Sequence, residues 1–326
     1  MKKRMLGRTG RMVSEIGLGT WQLGAKWGQP FNEAEALRIL EAGYESGINL
    51  IDTADIYQDG NSERAIGRIL KQHPGHFFVV TKCGRGLEPH TAEGYTPENM
   101  ERFIDGSLMR MGVEQLDLVL LHCPPTSVYQ KDNLFAGMDR LVQKGKIAQY
   151  GVSIEKVSEG LSAMEYPISV MEVVFNLFRL KPTEELFPQA KAHDVGILAR
   201  VPLASGLLTG RYTKETVFGQ GDHRSYNRNG EAFDKGETFA GVDYQQGLQA
   251  VAELKKLFGT EDLAPYALRW VLMHDAVSAV IPGASRAEQL LENIQAAELA
   301  PLTEAQMQGA AAIYDQYLRP SVHSNW

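Results

Sequence analysis

The stretch Asn49-Leu50-Ile51-Asp52-Thr53-Ala54-Asp55-Ile56-Tyr57 begins as an apolar run of strand length and turns polar and titratable at Asp52. The transition recurs twice: Phe77-Phe78-Val79-Val80-Thr81 runs into Lys82, and Leu118-Val119-Leu120-Leu121 runs into His122. Each run follows a segment whose apolar residues recur at helical spacing, so strand and helix alternate. In a barrel of alternating strands and helices, the carboxyl ends of all strands converge on one face. Asp52, Tyr57, Lys82 and His122 are therefore expected to meet there, carried by three separate strands.

The same rhythm runs along the rest of the chain. Helices are predicted from Asn32, a plausible N-cap, to Ser46, with Gly47 just past the end, then from Ser62 to Leu70 and from Pro97 to Met111 behind a Thr96 cap. Others follow from Asn133 to Gln143, Glu155 to Met164, Thr183 to Ala192, Tyr244 to Leu257, Leu263 to His274 and Arg286 to Ala296, with a last one starting at Thr303. Strands are expected at Glu15 to Leu18, up to Ile51, Phe77 to Thr81, Leu116 to Leu121, Ile147 to Val152, Ser169 to Val174, Val195 to Ala199 and Val277 to Ile281. Eight strands close a (β/α)8 TIM barrel of the α/β class. No linker divides residues 1–326, which predicts a single domain. Met5 to Val13 reads as an N-terminal β-hairpin plugging one end of the core. The polar, glycine-rich stretch 211–243 has no periodicity, and its aromatics Tyr212, Phe218, Tyr226, Phe233 and Phe239 mark it as a lid loop rather than a flexible tail.

Composition removes several function classes. A net charge of −7 and a pI near 5.7 argue against nucleic-acid binding, which needs a basic surface. The start Met1-Lys2-Lys3-Arg4-Met5-Leu6-Gly7 is basic but lacks the apolar stretch of a signal peptide, and no long apolar run follows, so a soluble cytoplasmic protein without membrane association is expected. Two cysteines, Cys83 and Cys123, fit a reducing compartment.

The four convergent residues suit proton transfer to a carbonyl. A phenol is a weak acid at neutral pH, and an adjacent ammonium favours its phenolate. Lys82 supplies that ammonium, Asp52 holds it charged and in place, and His122 hydrogen-bonds at the reacting oxygen. A metal site built from Asp52, Asp55, His122, Glu172 and His193 is the competing chemistry. It lacks His-x-His, His-x-x-x-His or Cys-x-x-Cys spacing, so no metal is expected.

These residues resemble the aldo-keto reductases, and the resemblance covers nearly the whole chain. Gly17-Leu18-Gly19-Thr20-Trp21 is similar to that family's opening strand, and Asp52-Thr53-Ala54-Asp55-Ile56-Tyr57 to its Asp-Thr-Ala-x-x-Tyr signature, followed by Gly60-Asn61-Ser62-Glu63; Thr81-Lys82 and Leu121-His122 fit the next two positions. The resemblance implies NADP(H) bound in an extended pose without a Rossmann domain, with Tyr57 as proton donor, Lys82 and Asp52 tuning it, and His122 orienting the carbonyl. Ser153, Glu172 and Asn176 are implied to hold the carboxamide, beside Gly19, Thr20 and Trp21. The loop Pro202-Leu203-Ala204-Ser205-Gly206-Leu207-Leu208-Thr209-Gly210-Arg211 resembles the pyrophosphate loop, and Gly283, Ser285, Arg286, Gln289, Glu292 and Asn293 the adenosine end. There Ser285 and Arg286 open a helix whose dipole would favour a 2′-phosphate.

Three positions depart from the family pattern. Glu172 replaces a frequent glutamine, Arg200 stands where a tyrosine often stacks on nicotinamide, and Cys123, in place of a bulky tryptophan, implies a wider pocket. The substrate wall is expected from Trp21, Trp27, Tyr57 and Cys123. The resemblance implies a monomer that reduces aldehydes or ketones to alcohols. It also admits a redox-sensing regulatory subunit that binds cofactor with little turnover.

Overall fold

The computed structural model describes residues 1–25 and 28–326. A hairpin of β1 (Lys3–Met5) and β2 (Met12–Ser14) comes first, paired antiparallel. Eight parallel strands then follow in chain order: β3 (Leu18–Gly19), β4 (Leu50–Asp52), β5 (Phe78–Cys83), β6 (Leu116–His122), β7 (Ile147–Ile154), β8 (Val170–Val174), β9 (Gly196–Arg200) and β10 (Val277–Val280). The sheet's two edges meet through parallel bridges from Ile16 to Val280 and from Gly19 to Gly283, which close the barrel. A Cβ on Gly19 would lie 2.8 Å from the Ile281 carbonyl oxygen, so this seam needs glycine.

Between the strands lie α1 (Glu33–Glu45), α2 (Asn61–Gln72), α3 (Pro97–Met111), α4 (Asp132–Gln143), α5 (Val157–Ala163) and α6 (Leu186–Ala192). Sequence chemistry sets their starts: the Asn32 side chain accepts from the Glu35 amide, and that of Thr96 from the Asn99 amide with Pro97 in the first turn. In α1 the buried set Ala36, Ile39, Leu40 and Gly43 repeats at helical spacing and faces the barrel. After β9 come α7 (His223–Tyr226), α8 (Tyr244–Phe258) and α9 (Ala264–Leu272); after β10 come α10 (Ala287–Ile294), α11 (Glu304–Tyr317) and α12 (Arg319–Val322).

The barrel interior is filled from one end to the other by alternation. Leu6 and Val13 of the hairpin join Leu50, Val80, Leu118, Leu120 and Leu198 in an inner apolar cluster, so the hairpin does plug the amino-terminal end. Side chains two residues apart share a face of a strand. Leu50 thus leads to Asp52, Val80 to Lys82, Leu120 to His122, Val170 to Glu172 and Leu198 to Arg200, and a charged tier sits directly above the hydrocarbon. On β7 the corresponding pair is Gly151 and Ser153; a Cβ on Gly151 would stand 2.0 Å from the Val170 carbonyl oxygen.

One expectation is corrected. The first strand is Leu18–Gly19 rather than Glu15 to Leu18, because Ile16 meets its neighbour only through a bridge and the Glu15 side chain turns to pair with Arg4 at 3.2 Å. The lid expected at 211–243 carries short elements of its own: Asp222 caps α7, and 3₁₀ turns form at Lys235–Glu237 and Phe239–Gly241. It contributes to the wall of the cavity described next.

Candidate active site

Asp52 is the last residue of β4, Lys82 the next to last of β5, and His122 the last of β6. Tyr57 lies beyond β4 in a tight turn whose next residues, Gln58 and Asp59, adopt left-handed φ of 52° and 54°. Gln58 donates to the Trp21 carbonyl at 3.2 Å, fixing that turn against the loop after β3. Lys82 Nζ reaches Asp52 Oδ1 at 2.6 Å, the Thr53 carbonyl at 3.0 Å and the Tyr57 hydroxyl at 3.5 Å. The ring centroids of Tyr57 and His122 are 5.9 Å apart. The four residues therefore converge as their strand-end placement implies. A further network fixes Asp52: Thr20 donates to its carbonyl from both amide and hydroxyl, and the Ser62 hydroxyl links Thr20 to Thr53.

The electrostatics differ from the expectation of an acidified phenol. Burial pushes the Tyr57 phenol above its ordinary value; Lys82 pulls it down, but Asp52, Glu172 and Glu237 push it up further. Burial opposes the Lys82 ammonium, yet Asp52 and Glu172 together hold it charged, and its pKa is raised. Burial also depresses His122 well below the usual imidazole value, with Lys82, Arg85 and Arg200 adding to the effect, so its ring is neutral. The site at rest thus holds a protonated tyrosine, a charged lysine and a neutral histidine.

Glu172 lies between two cations. Lys82 Nζ stands 3.3 Å from its Oε2, without the angles of a hydrogen bond, and Arg200 Nε is 3.7 Å from its Oε1. Arg200 also binds the Glu237 carboxylate, Glu155 at 3.3 Å and the Ile154 carbonyl at 3.0 Å. Cys123, Glu155 and Glu237 form the one metal-like triple among the described residues, and a guanidinium already contacts all three. The metal set considered from sequence is not assembled, since His193 sits at the opposite end, where its carbonyl accepts from Arg8 of the hairpin loop.

A cavity of about 560 Å³ opens above this tier. Asp52, Tyr57 and His122 line it, and Lys82, fully buried, stands behind Tyr57. Of the expected cofactor residues, Gly19, Thr20, Trp21, Ser153, Glu172 and Arg200 line its inner part, and Pro202, Leu203, Ser205, Gly206 and Arg211 follow along the loop after β9. Gly283 and Gln289 line it at the closing seam. Ser205 and Gly206 both take left-handed φ, at 55° and 92°, and Gly206 presents bare backbone.

Other expectations do not reach the cavity. Asn176 is committed to structure: its amide donates to the Val201 carbonyl, and its oxygen accepts from the Phe178 amide. Leu207 is buried in the core and Gly210 caps the turn after it. Ser285, Arg286, Glu292 and Asn293 lie around α10 outside the wall, with Ser285 bonded to Gln289, Arg286 at 4.0 Å from Glu292, and Asn293 bonded to the Gly283 carbonyl. Cys123 takes a left-handed φ of 45° and directs its thiol toward Ser153 and Arg200, so it does not form the expected substrate wall. Trp27 falls outside the described residues.

Sequence reasoning passed over Arg85, His223, Arg224 and Glu237 and took Phe233 only as a mark of the lid; all five line the cavity. The last four belong to the stretch 211–243, where nothing periodic marks an inward face. Arg224 pairs with Asp222 at 2.5 Å and reaches the Ser205 carbonyl at 3.4 Å, and the Ser205 hydroxyl donates to the Glu237 carbonyl at 2.9 Å. The lid is therefore tied to the loop after β9 and, through Glu237, to Arg200 of β9. Its far side meets Trp326, whose indole donates to Asp234 at 3.0 Å and stacks under the Arg179 guanidinium.

Comparison with known proteins agrees with this geometry. The model of the aldo/keto reductase family matches residues 15–315. An uncharacterized oxidoreductase of Bacillus subtilis (strain 168), YqkF, is 30% identical over 312 residues, covering 94% of each chain. Among solved structures, the holo form of aldo-keto reductase AKR11C1 from Bacillus halodurans superposes with a TM-score of 0.78 at 28% identity, covering 97% of this chain and 99% of that one. The glycerol dehydrogenase AKR11B4 from Gluconobacter oxydans gives 0.78 at 27% identity, covering 97% and 96%. A (β/α)8 barrel with this polar tier defines a class of oxidoreductases that use nicotinamide cofactors. The chain belongs to the aldo/keto reductase family.

Proposed function

We propose that this protein reduces aldehydes or ketones to alcohols with NADPH, and that Asp52, Tyr57, Lys82 and His122 carry the chemistry. The observation that carries the reading is the Lys82 ammonium, 3.5 Å from the Tyr57 hydroxyl and anchored on Asp52 at 2.6 Å. A protonated phenol at the cavity wall is the form a proton donor must take, and the ammonium behind it stabilises the phenolate left when the proton passes to the carbonyl oxygen. Neutral His122 holds that oxygen by a hydrogen bond. The apolar tier below and Trp21 and Phe233 in the wall limit water at the reacting atoms. A bound reduced nicotinamide would supply hydride to the carbonyl carbon.

The cavity fits a nicotinamide dinucleotide in volume, within the range of about 300–1,000 Å³ typical of such sites. Ser153 and Glu172 would hold the carboxamide, and the bare backbone at Gly206 would admit the pyrophosphate, with Arg211 and Arg224 supplying charge. Arg286, half exposed at the start of α10, would meet the 2′-phosphate, which favours NADP over NAD. We further propose one functional unit spanning residues 1–326, acting as a cytoplasmic monomer; no helix among the described residues is long and apolar enough to cross a membrane. The intact catalytic four favour turnover over a sensing role. Oxidation of NADPH and NADH measured against a panel of carbonyls tests the reading: turnover with NADPH preferred is expected, whereas tight nucleotide binding with no consumption would defeat it.

A further inference from the structure

Arg85 sits three residues past Lys82, on the loop leaving β5, and lines the cavity beside Tyr57 and His122. It makes no hydrogen bond, and no ion pair within 4.0 Å, to any described residue. In this respect it differs from every other arginine of the wall. Arg200 holds Glu237 and Glu155, Arg224 holds Asp222, and Arg211 lies 3.6 Å from both Asp262 and Glu292. The carboxylates that act on Arg85 electrostatically, Glu237 and Glu155, are both committed to Arg200.

A partly buried guanidinium without a partner is unfavourable, because the water it gives up is not replaced. Its planar fork of donors matches a carboxylate or phosphate in two-point fashion. Around it the wall is apolar, formed by Trp21, Ile56 and Phe233, which offers a bed for a short carbon chain. We propose that Arg85 is the specificity residue of the substrate pocket, gripping an anionic group, carboxylate or phosphate, carried by the carbonyl compound whose oxygen faces Tyr57 and His122. This inference rests on the carbonyl-reductase reading given above.

Two aldehyde pairs test it and separate the two anions: 4-oxobutanoate against butanal, and glyceraldehyde 3-phosphate against glyceraldehyde. In the wild type, kcat/KM is expected to favour the anionic member of at least one pair by about tenfold or more, through KM. Arg85→Gln should erase that ratio, and Arg85→Lys should keep part of it. No preference in either pair, or a preference that survives Arg85→Gln, overturns the inference. A second measurement does not depend on turnover: butanoate and methyl phosphate are titrated against tryptophan fluorescence, with and without nucleotide. At least one should bind, and about tenfold more weakly to Arg85→Gln; equal binding to both proteins, or to neither, overturns the inference. Anion binding that depends on Arg85, with no reduction of any aldehyde, would instead defeat the reductase reading and leave the role of Arg85 standing.

Discussion

At the scale of single residues, Tyr57 is where the proposed proton transfer meets the electrostatics around it. Among the described residues, its hydroxyl is the one at the wall backed by a buried ammonium. Tyr57→Phe should leave nucleotide affinity almost unchanged and lower turnover by at least about a hundredfold; near-normal turnover in steady-state assays would remove Tyr57 from the mechanism. Asp55, just behind, has a different part. Neither of its carboxylate oxygens has a hydrogen-bond partner among the described residues, and burial, with Glu63 adding, raises its pKa from 3.8 to about 7. The folded chain therefore holds a proton that the unfolded chain releases, and stability falls as pH rises from about 4 to about 7. Asp55→Asn should melt higher than the wild type at about pH 8, by the equivalent of a few kcal/mol, and no higher at about pH 4. Equal melting temperatures at both pH values would contradict that assignment. The convergence of Asp52, Tyr57, Lys82 and His122 was legible because each is a polar, titratable residue at or just past the end of an apolar run. The tie of Asn176 to backbone was not, since a side-chain amide bonded to backbone reads the same in sequence as one bonded to a ligand, nor was the left-handed turn at Cys123 that directs its thiol toward Ser153 and Arg200.

At the scale of elements, caps and strand alternation could be read directly, because Asn32, Thr96 and Thr303 each make the cap bond their chemistry favours. Strand ends were placed a residue or two short, as Asp52, Lys82 and His122 are polar and yet remain inside the hydrogen-bonded ladder. The lid was marked by its aromatics, but its internal order was not legible, because that order comes from side-chain links, the Glu237 to Arg200 ion pair foremost, rather than from backbone periodicity. Glu237→Gln removes the charge from that link. Tryptic cleavage within 211–243 should then accelerate several-fold, a sign of easier local opening; an unchanged digestion rate would show that the aromatic contacts alone hold the lid.

At the scale of the whole molecule, the hairpin and the site lie at opposite ends of one packed interior. Leu6, fully buried in the inner cluster, anchors the plug. Leu6→Ala should cost about 2–5 kcal/mol in denaturant unfolding while kcat is preserved, because the cavity it creates is far from the charged tier. A parallel loss of kcat would mean that the two ends are mechanically coupled.

The abrupt passage from hydrocarbon to charge within one step of the strands also shapes the field around the protein. Lines of force from Arg85, the one arginine of the wall with no ion pair to a described residue, spread poorly through a waxy medium and emerge mainly at the mouth. The chain as a whole carries −7. An anion drifting in from solution would thus be repelled at long range, and drawn in once counter-ions have muted the distant charges and the nearby Arg85 guanidinium is within its reach.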